Sequence, residues 1–249
     1  MRRFTGIGIL LLLLSCGKEG TFKEISLSDY LVENESLELA DLVACAGGKS
    51  GGFLGGADKP TDVFFYPVSG ARDFRYFETQ NLEDSADFNK FFQVDLEDEP
   101  VFNGYLWKFN RGAFEEERMG VVTYRTPGKL HVCTPIRLKT NVKPTEVNPG
   151  LLEVVDHDLS PEFVWADGQI QENVIYFQVI SDLDDNFISG TYTFEKNFTF
   201  YDLSNVVFNI TDTATTPSLN PGQTYRFTLM GVSEDNWINL YGEREFEVE

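Results

Sequence analysis

Short segments in which apolar and polar residues alternate make up most of this chain, and turn residues separate them. A period of two places successive side chains on opposite faces of a strand, whereas a helix repeats its apolar residues every three or four positions. Aromatic residues amount to 14% of the chain, with 22 Phe and 10 Tyr against 3 Met, and flat rings favour the pleated surface of a sheet. The pattern predicts an all-β protein.

The length of 249 residues suffices for two domains of about 100 residues each, so we predict two consecutive β-sandwich-like domains. The first is predicted over 37–140 and the second over 145–249, with the boundary in the proline-containing segment 140–150. The glycine-rich segment 47–56 lacks the spacing of a phosphate-binding loop, so a surface loop is predicted there. The predicted strands of the first domain are Leu37–Ala46, Asp62–Val68, Phe74–Thr79, Phe91–Leu96, Phe102–Phe109, Gly120–Arg125 and Leu130–Leu138.

The second predicted domain contains Asn173–Ile180, an almost continuously apolar segment that is typical of a central strand covered on both faces. Trp165 on an early strand, and Leu219, Pro221-Gly222 and Tyr225 before a late one, resemble a fibronectin type III or immunoglobulin-like sandwich. The resemblance implies that Tyr225 forms a tyrosine corner, with its ring in the core and its hydroxyl bonded to nearby backbone. It implies a fold and no particular function.

The N-terminal residues MRRFTGIGILLLLLSC combine two arginines with an apolar stretch over 7–14. A permanent membrane helix needs roughly 20 apolar residues, so residues 1–15 are predicted to be a signal peptide. The sequence Leu-Leu-Ser-Cys at its end resembles the bacterial lipobox. The resemblance implies that Cys16 is acylated and anchors the mature chain in a membrane; an ordinary secretory signal is the alternative.

The charged stretch from Gly17 to Gly20 resembles the export signals of surface lipoproteins of the Bacteroidota. Residues 16–36 are polar and are predicted to form a tether. The predicted location is therefore the cell envelope, with a lipid anchor in the outer membrane and display at the cell surface; the periplasmic face is the alternative.

The formal net charge of −20 repels phosphate backbones, so nucleic acid is excluded as a predicted partner. The charge is predicted to keep an exported protein soluble, and an acidic surface shaped for a cationic partner is the alternative. The predicted partners are the membrane, through the N-terminal lipid, and either a glycan or an envelope protein.

Two cysteines remain once Cys16 carries lipid. Disulfides form and persist in the compartments of exported proteins, so Cys45 and Cys133 are predicted to form one bridge. Two buried free thiols are the alternative. Neither cysteine has a second cysteine or a histidine at ligand spacing, so no metal site is predicted from them.

No motif of a hydrolase or metalloprotease occurs, so we predict a non-enzymatic protein with no cofactor. His131 is predicted to lie on a strand and face water, and His157 to lie in a solvated turn. Asp182, Asp184 and Asp185 are calcium candidates in a predicted hairpin turn, with a plain acidic turn as the alternative.

Two aromatic groups are candidate ligand-binding surfaces, because rings with polar neighbours stack on sugars and anchor protein partners. Core packing is the alternative for the rings, and pairing with Asp73 or Glu78 is the alternative for the arginines. Ser85 and Thr213 resemble O-glycosylation sites of the Bacteroidota. The candidate ligand-binding residues are Tyr66, Arg72, Arg75 and Tyr76 in one group, and Trp237 and Tyr241 in the other.

These features predict a binding or accessory module that contacts a glycan or an envelope protein through its first domain. A structural subunit of an envelope assembly is the second hypothesis, and a hydrolase with a spatially assembled site is the third.

Overall fold

The computed structural model describes residues 21–49, 61–211 and 216–249, and strands within those ranges form four sheets. The first sandwich contains one helix. Its elements are β1 (Thr21–Ser26), α1 (Leu27–Glu33), β2 (Glu38–Leu42), β3 (Ala44–Gly48), β4 (Thr61–Phe65), β5 (Arg72–Glu78), β6 (Phe92–Asp95), β7 (Asp98–Val101), β8 (Leu106–Asn110), β9 (Arg118–Thr126), β10 (Lys129–Cys133) and β11 (Ile136–Leu138).

The second sandwich follows directly. Its strands are β12 (Glu146–Val147), β13 (Leu152–Val154), β14 (Glu162–Trp165), β15 (Asn173–Asp182), β16 (Phe187–Thr193), β17 (Asn197–Thr199), β18 (Val206–Asn209), β19 (Thr224–Ser233) and β20 (Ile238–Glu247). Short 3₁₀ turns occupy Phe88–Lys90, Phe102–Gly104 and Pro149–Leu151.

Sheet I has the strand order β1-β6-β5-β9-β10-β2, with β11 also paired to β9, and sheet II has the order β3-β4-β8-β7. Sheet III has the order β12-β20-β19-β15-β16-β18, and sheet IV the order β13-β14-β17. The fold-class prediction of an all-β protein built from sandwiches is confirmed.

Two neighbouring residues of β5 show how α1, sheet I and sheet II pack on one another. Phe77 faces α1, where its ring lies 5.5 Å from that of Tyr30, and Tyr76 faces sheet II, where its ring lies 5.9 Å from that of Phe109. Successive side chains of a strand point to opposite faces, so sheet I lies between α1 and sheet II.

The two sandwiches are joined by a third apolar cluster between sheets II and III. Phe64 and Leu106 of sheet II share this cluster with Phe177 and Met230 of sheet III. On the other face of sheet III, Phe227 stacks on Phe163 of sheet IV at 4.1 Å. The sheets therefore form one continuous stack in the order I, II, III and IV, and β15 is the covered central strand that its sequence predicts.

The turn between β19 and β20 inserts into the first sandwich. Trp237 is 0% exposed and belongs to the apolar core of sheets I and II, and its indole N–H donates to the carbonyl of Lys143 at 2.8 Å. Beside it, the backbone N–H of Ala46 donates to the carbonyl of Asn236, and Lys139 forms an ion pair with Asp235 at 2.8 Å. The second domain thus contributes a buried side chain to the core of the first.

The predicted tether over 16–36 is wrong for its described part, residues 21–36. Strand β1 pairs with β6, and α1 buries Leu27 and Tyr30 in the first core. Polar positions made this segment resemble a linker, but an edge strand and an amphipathic helix each bury only one face. Ser26 caps the helix by accepting from the N–H of Asp29 at 3.0 Å.

The second sandwich has the strand division that the fibronectin type III resemblance implies. Its first, second and fifth strands after β12 form sheet IV, and its remaining long strands lie in sheet III. Trp165 is buried in the core between them. The N–H of Asn220 donates to the hydroxyl of Tyr225 at 3.0 Å, so the tyrosine corner is present.

Candidate functional site

Arg72, Arg75 and Tyr76 of the first predicted ligand-binding group lie in three different environments. Arg72 is exposed, whereas Arg75 pairs with Asp73 at 3.1 Å and lies over the ring of Tyr30. This is the pairing that the sequence offered as an alternative. Tyr76 is buried, because it faces sheet II, so its prediction as a surface residue is wrong.

The second predicted group is also wrong as a surface. Trp237 fills the core of the first sandwich, and Tyr241 packs in the apolar cluster between sheets II and III. The polar residues around them suggested exposure, but both rings are covered by the other domain.

A buried ion cluster lies at one end of the first sandwich. Glu78 at the end of β5 is 0% exposed. Its carboxylate accepts two hydrogen bonds from Arg111, both at 2.6 Å, and one from Arg118 at 2.7 Å. Tyr76 donates to the same carboxylate at 3.1 Å, and burial together with the Glu78 charge raises the pKa of Tyr76 well above its ordinary value. The cluster thus brings two guanidinium groups to one carboxylate.

The loop that joins β8 to β9 holds this cluster in place. The ring of Phe114 lies 5.7 Å from the Arg111 guanidinium and 5.0 Å from that of Arg118, and the side-chain amide of Asn141 donates to the Phe114 carbonyl. Gly120 makes room for the cluster, since a Cβ atom there would lie 2.5 Å from the Tyr76 hydroxyl. Packed guanidiniums of this kind are fixed before any ligand arrives.

An open cleft of about 580 Å³ adjoins the cluster. We call it the arginine cleft. Arg111, Arg118 and Phe114 form its buried part, and Glu115 and Glu116 are exposed at its margin. Its volume lies within the range of small-molecule sites. The remaining lining residues are Phe22, Ala113 and Asn141.

A second surface lies where the two sandwiches meet. The ring of Phe208 on β18 contacts Tyr192 at 5.6 Å and Tyr66 of the first domain at 6.4 Å. Phe208 is 41% exposed and Val43 is 38% exposed. A narrow crevice of about 10 Å³ runs beneath Val43, Tyr66 and Tyr192, and Cys45 lines it. We call Val43, Tyr66, Tyr192 and Phe208 the seam patch.

Strand β18 forms an edge of sheet III, because β16 is its one strand neighbour among the described residues. Its side chains include the exposed Val207 as well as Phe208. An exposed apolar edge strand presents backbone donors and acceptors that can pair with another strand, and most proteins protect such edges. Tyr66 is thus the one residue of the first predicted group that lies in an aromatic surface cluster.

The predicted disulfide is absent, since Cys45 and Cys133 are both free thiols. Cys45 lies in the crevice between sheets II and III, whereas Cys133 lies in the core between sheets I and II and accepts from the N–H of Val122. The two side chains belong to different cores. Burial raises the pKa of each thiol to about 12.

These pKa values predict slow thiol chemistry. In mature protein that carries Cys16→Ala, we expect neither remaining cysteine to react with a maleimide within minutes at pH 8, because the nucleophilic thiolate is a very small fraction at a pH far below 12. Two thiols per chain should react after unfolding in urea. Fast labelling of the native protein, or fewer than two thiols after unfolding, would contradict this.

His131 does not face water. Its ring nitrogens lie 3.0 Å from the hydroxyl of Thr126 and 3.2 Å from the carbonyl of Asp41, because β2 pairs beside β10 and covers this position. The ring also stacks on Tyr124 at 4.5 Å. His157 lies in a partly exposed turn and contacts the Glu247 carbonyl at 3.1 Å.

The calcium candidates do not converge on one point. Asp182 accepts from the backbone N–H groups of Asp184 and Asn186, at 2.9 and 2.8 Å, and Asp185 pairs with Arg226. The acidic turn is therefore the structure found. Over the ranges described, no group of three or more His, Cys, Asp or Glu residues could hold a metal ion.

Three predicted sites remain predictions. Ser85 lies in a partly exposed turn, where its N–H donates to the carbonyl of Leu82. Cys16 and Thr213 lie outside the described residues, as does most of the glycine-rich segment 47–56. No helix within the described part of the chain is long and apolar enough to cross a membrane.

The sequence analysis did not identify the arginine cleft, and Tyr66 is the one residue of the seam patch that it singled out. Glu78 was noted only as a local partner for the arginines, and Arg111 and Arg118 lie 33 and 40 positions further along the chain. A second sequence signal for the seam patch is the apolar run from Val206 to Phe208, which is equally typical of a buried strand.

The chain matches no protein-family model and no curated protein sequence. Among solved structures it is similar to the FN1–FN3 domains of chicken CNTN1, at 11% identity over 86% of this chain and 69% of that one, with a TM-score of 0.29. It is similar to the chicken interferon gamma receptor alpha chain at 12% identity, over 83% of this chain and 96% of that one, with a TM-score of 0.25. It is also similar to the glycoside hydrolase domain of Endo-D from Streptococcus pneumoniae, at 10% identity over 83% of this chain and 33% of that one, with a TM-score of 0.31.

The chain itself has the sheet division, the tyrosine corner at Tyr225 and the buried Trp165 of such a sandwich. These features define a protein of two packed β-sandwiches, the second of them with fibronectin type III topology.

Proposed function

We propose that the protein is a non-enzymatic binding or accessory module of the bacterial cell envelope, anchored by lipid on Cys16, and that it binds an envelope protein through the seam patch and β18. The observation that carries the proposal is the exposed apolar edge strand of sheet III, which lies beside an aromatic cluster drawn from both domains.

The edge favours a protein over a glycan as the partner. A strand of another protein can pair with the outer backbone of β18 while its side chains contact Phe208 and Tyr66, which is the mode of β-strand addition. A glycan cannot use the backbone ladder in this way. The net charge of −20 favours a partner segment that is apolar or basic.

The packing of the two domains suits a surface that spans them. The cluster between sheets II and III and the buried Trp237 hold the two sandwiches together, so Tyr66 and Phe208 keep a constant separation. A pre-organised surface loses less entropy on binding than one that assembles from mobile parts.

A photo-crosslinking amino acid at Val207 tests this proposal in cells. We expect it to give an adduct with one defined envelope protein, because Val207 lies on the exposed edge strand. The matched control is the same probe at Val155, an exposed valine that follows β13 in sheet IV. Adding Phe208→Asp should lower the adduct yield at least tenfold, since a charge in an apolar contact costs on the order of 2 kcal/mol.

Equal adducts from Val207 and Val155, or an unchanged yield with Phe208→Asp, would contradict the proposed partner surface. The anchor is tested separately with Cys16→Ala, which should move the protein from the membrane fraction to the soluble fraction. A variant that stays in the membrane fraction would show that Cys16 does not anchor the chain.

A further inference from the structure

The arginine cleft lies where the chain enters the first sandwich. Phe22 lines the cleft, and strand β1 fixes it by pairing Thr21 with Asp95 and Phe22 with Val94. Only four residues separate Cys16 from Thr21. Five steps of the chain reach at most about 18 Å, so an acyl anchor on Cys16 would hold this end of the first sandwich close to the membrane surface.

Positive and negative side chains occupy different parts of the cleft. Arg111 and Arg118 lie around Glu78 in the inner part, and the exposed Glu115 and Glu116 supply negative charge at the margin. Guanidinium groups bind phosphate oxygens, and carboxylates bind ammonium groups. A purely anionic ligand would be repelled by the two glutamates, and a purely cationic ligand by the two arginines.

We propose that the arginine cleft binds the zwitterionic phosphoethanolamine headgroup of a phospholipid in the leaflet that carries the anchor. The phosphate accepts hydrogen bonds from Arg118, and the ammonium group meets Glu115 and Glu116. The ring of Phe22, 38% exposed, contacts the interfacial region of the same leaflet. The placement at a membrane rests on the proposed acylation of Cys16, whereas the headgroup chemistry does not.

The test uses the full mature chain with Cys16→Ala, which carries no lipid, and follows its backbone amides by NMR. Glycerophosphoethanolamine is expected to shift the amides of residues 111–118 saturably, and glycerophosphoglycerol and inorganic phosphate to bind at least tenfold more weakly. Arg118→Gln, and separately the double variant Glu115→Gln with Glu116→Gln, should each weaken binding of glycerophosphoethanolamine at least tenfold. Lys23→Gln on the same edge strand is the matched control and should leave binding unchanged.

Phosphate that binds as tightly as glycerophosphoethanolamine would reveal an adventitious ion only, and would overturn the proposal. Binding that the glutamate double variant leaves unchanged would overturn it as well, and this surface variant does not depend on the buried ion cluster for folding. In the second arm, acylated protein in phosphatidylethanolamine vesicles should protect the amides of residues 111–117 from hydrogen exchange more than in phosphatidylglycerol vesicles. Mass spectrometry of Cys16 reports separately on the anchor, so a missing lipid refutes the anchor and leaves the soluble titration to decide the cleft.

Discussion

Replacing Trp237 with alanine is expected to lower the free energy of unfolding by about 3–5 kcal/mol, the usual cost of removing a large buried aromatic side chain. The indole is 0% exposed and lies in the core between sheets I and II, although Trp237 belongs to the turn between two strands of the second sandwich. The substitution therefore leaves a cavity in one domain by changing a residue of the other. Urea denaturation, monitored by circular dichroism, measures the change in the free energy of unfolding.

Trp237→Phe is the matched control for this prediction. It keeps most of the apolar volume and loses mainly the hydrogen bond from the indole N–H to the Lys143 carbonyl, so a loss of about 1–2 kcal/mol is expected. If the alanine variant loses no more than the phenylalanine variant, the side chain does not fill the core as described.

Glu78→Gln is expected to lower the free energy of unfolding by about 3–5 kcal/mol, because it leaves two buried guanidinium groups without their carboxylate. Glu78 forms an ion pair with Arg111 at 2.6 Å and with Arg118 at 2.7 Å. Glutamine retains the size of the side chain, so the loss reports on charge and hydrogen bonding rather than on a cavity. The measurement is again urea denaturation.

Asp95→Asn provides the contrast for Glu78→Gln. Its ion pair with Lys23 is exposed to solvent, and such pairs contribute about 0–1 kcal/mol. A loss below about 1 kcal/mol in Glu78→Gln would mean that the arginines find other partners or water, and that the cluster does not hold the loop between β8 and β9 in place.

The local pattern of the chain determined its secondary-structure class and much of its second sandwich. Period-two alternation, turn residues and the positions of Trp165 and Tyr225 are properties of short segments, so they can be read without a structure. The apolar segment that became β15 identified the covered central strand for the same reason. Boundaries were less accurate: the predicted strand Leu37–Ala46, for example, is divided at Val43 into β2 in sheet I and β3 in sheet II.

Only the tertiary structure decided which residues are covered by the other domain and which form a site. Trp237 follows Glu234, Asp235 and Asn236, a polar sequence that indicates an exposed turn, and it becomes buried because the first sandwich accepts it. Glu78, Arg111 and Arg118 meet through loop ends that are distant in sequence. Periodicity reports the two faces of a single strand, whereas the layer that covers each face depends on long-range packing, and no short segment contains that information.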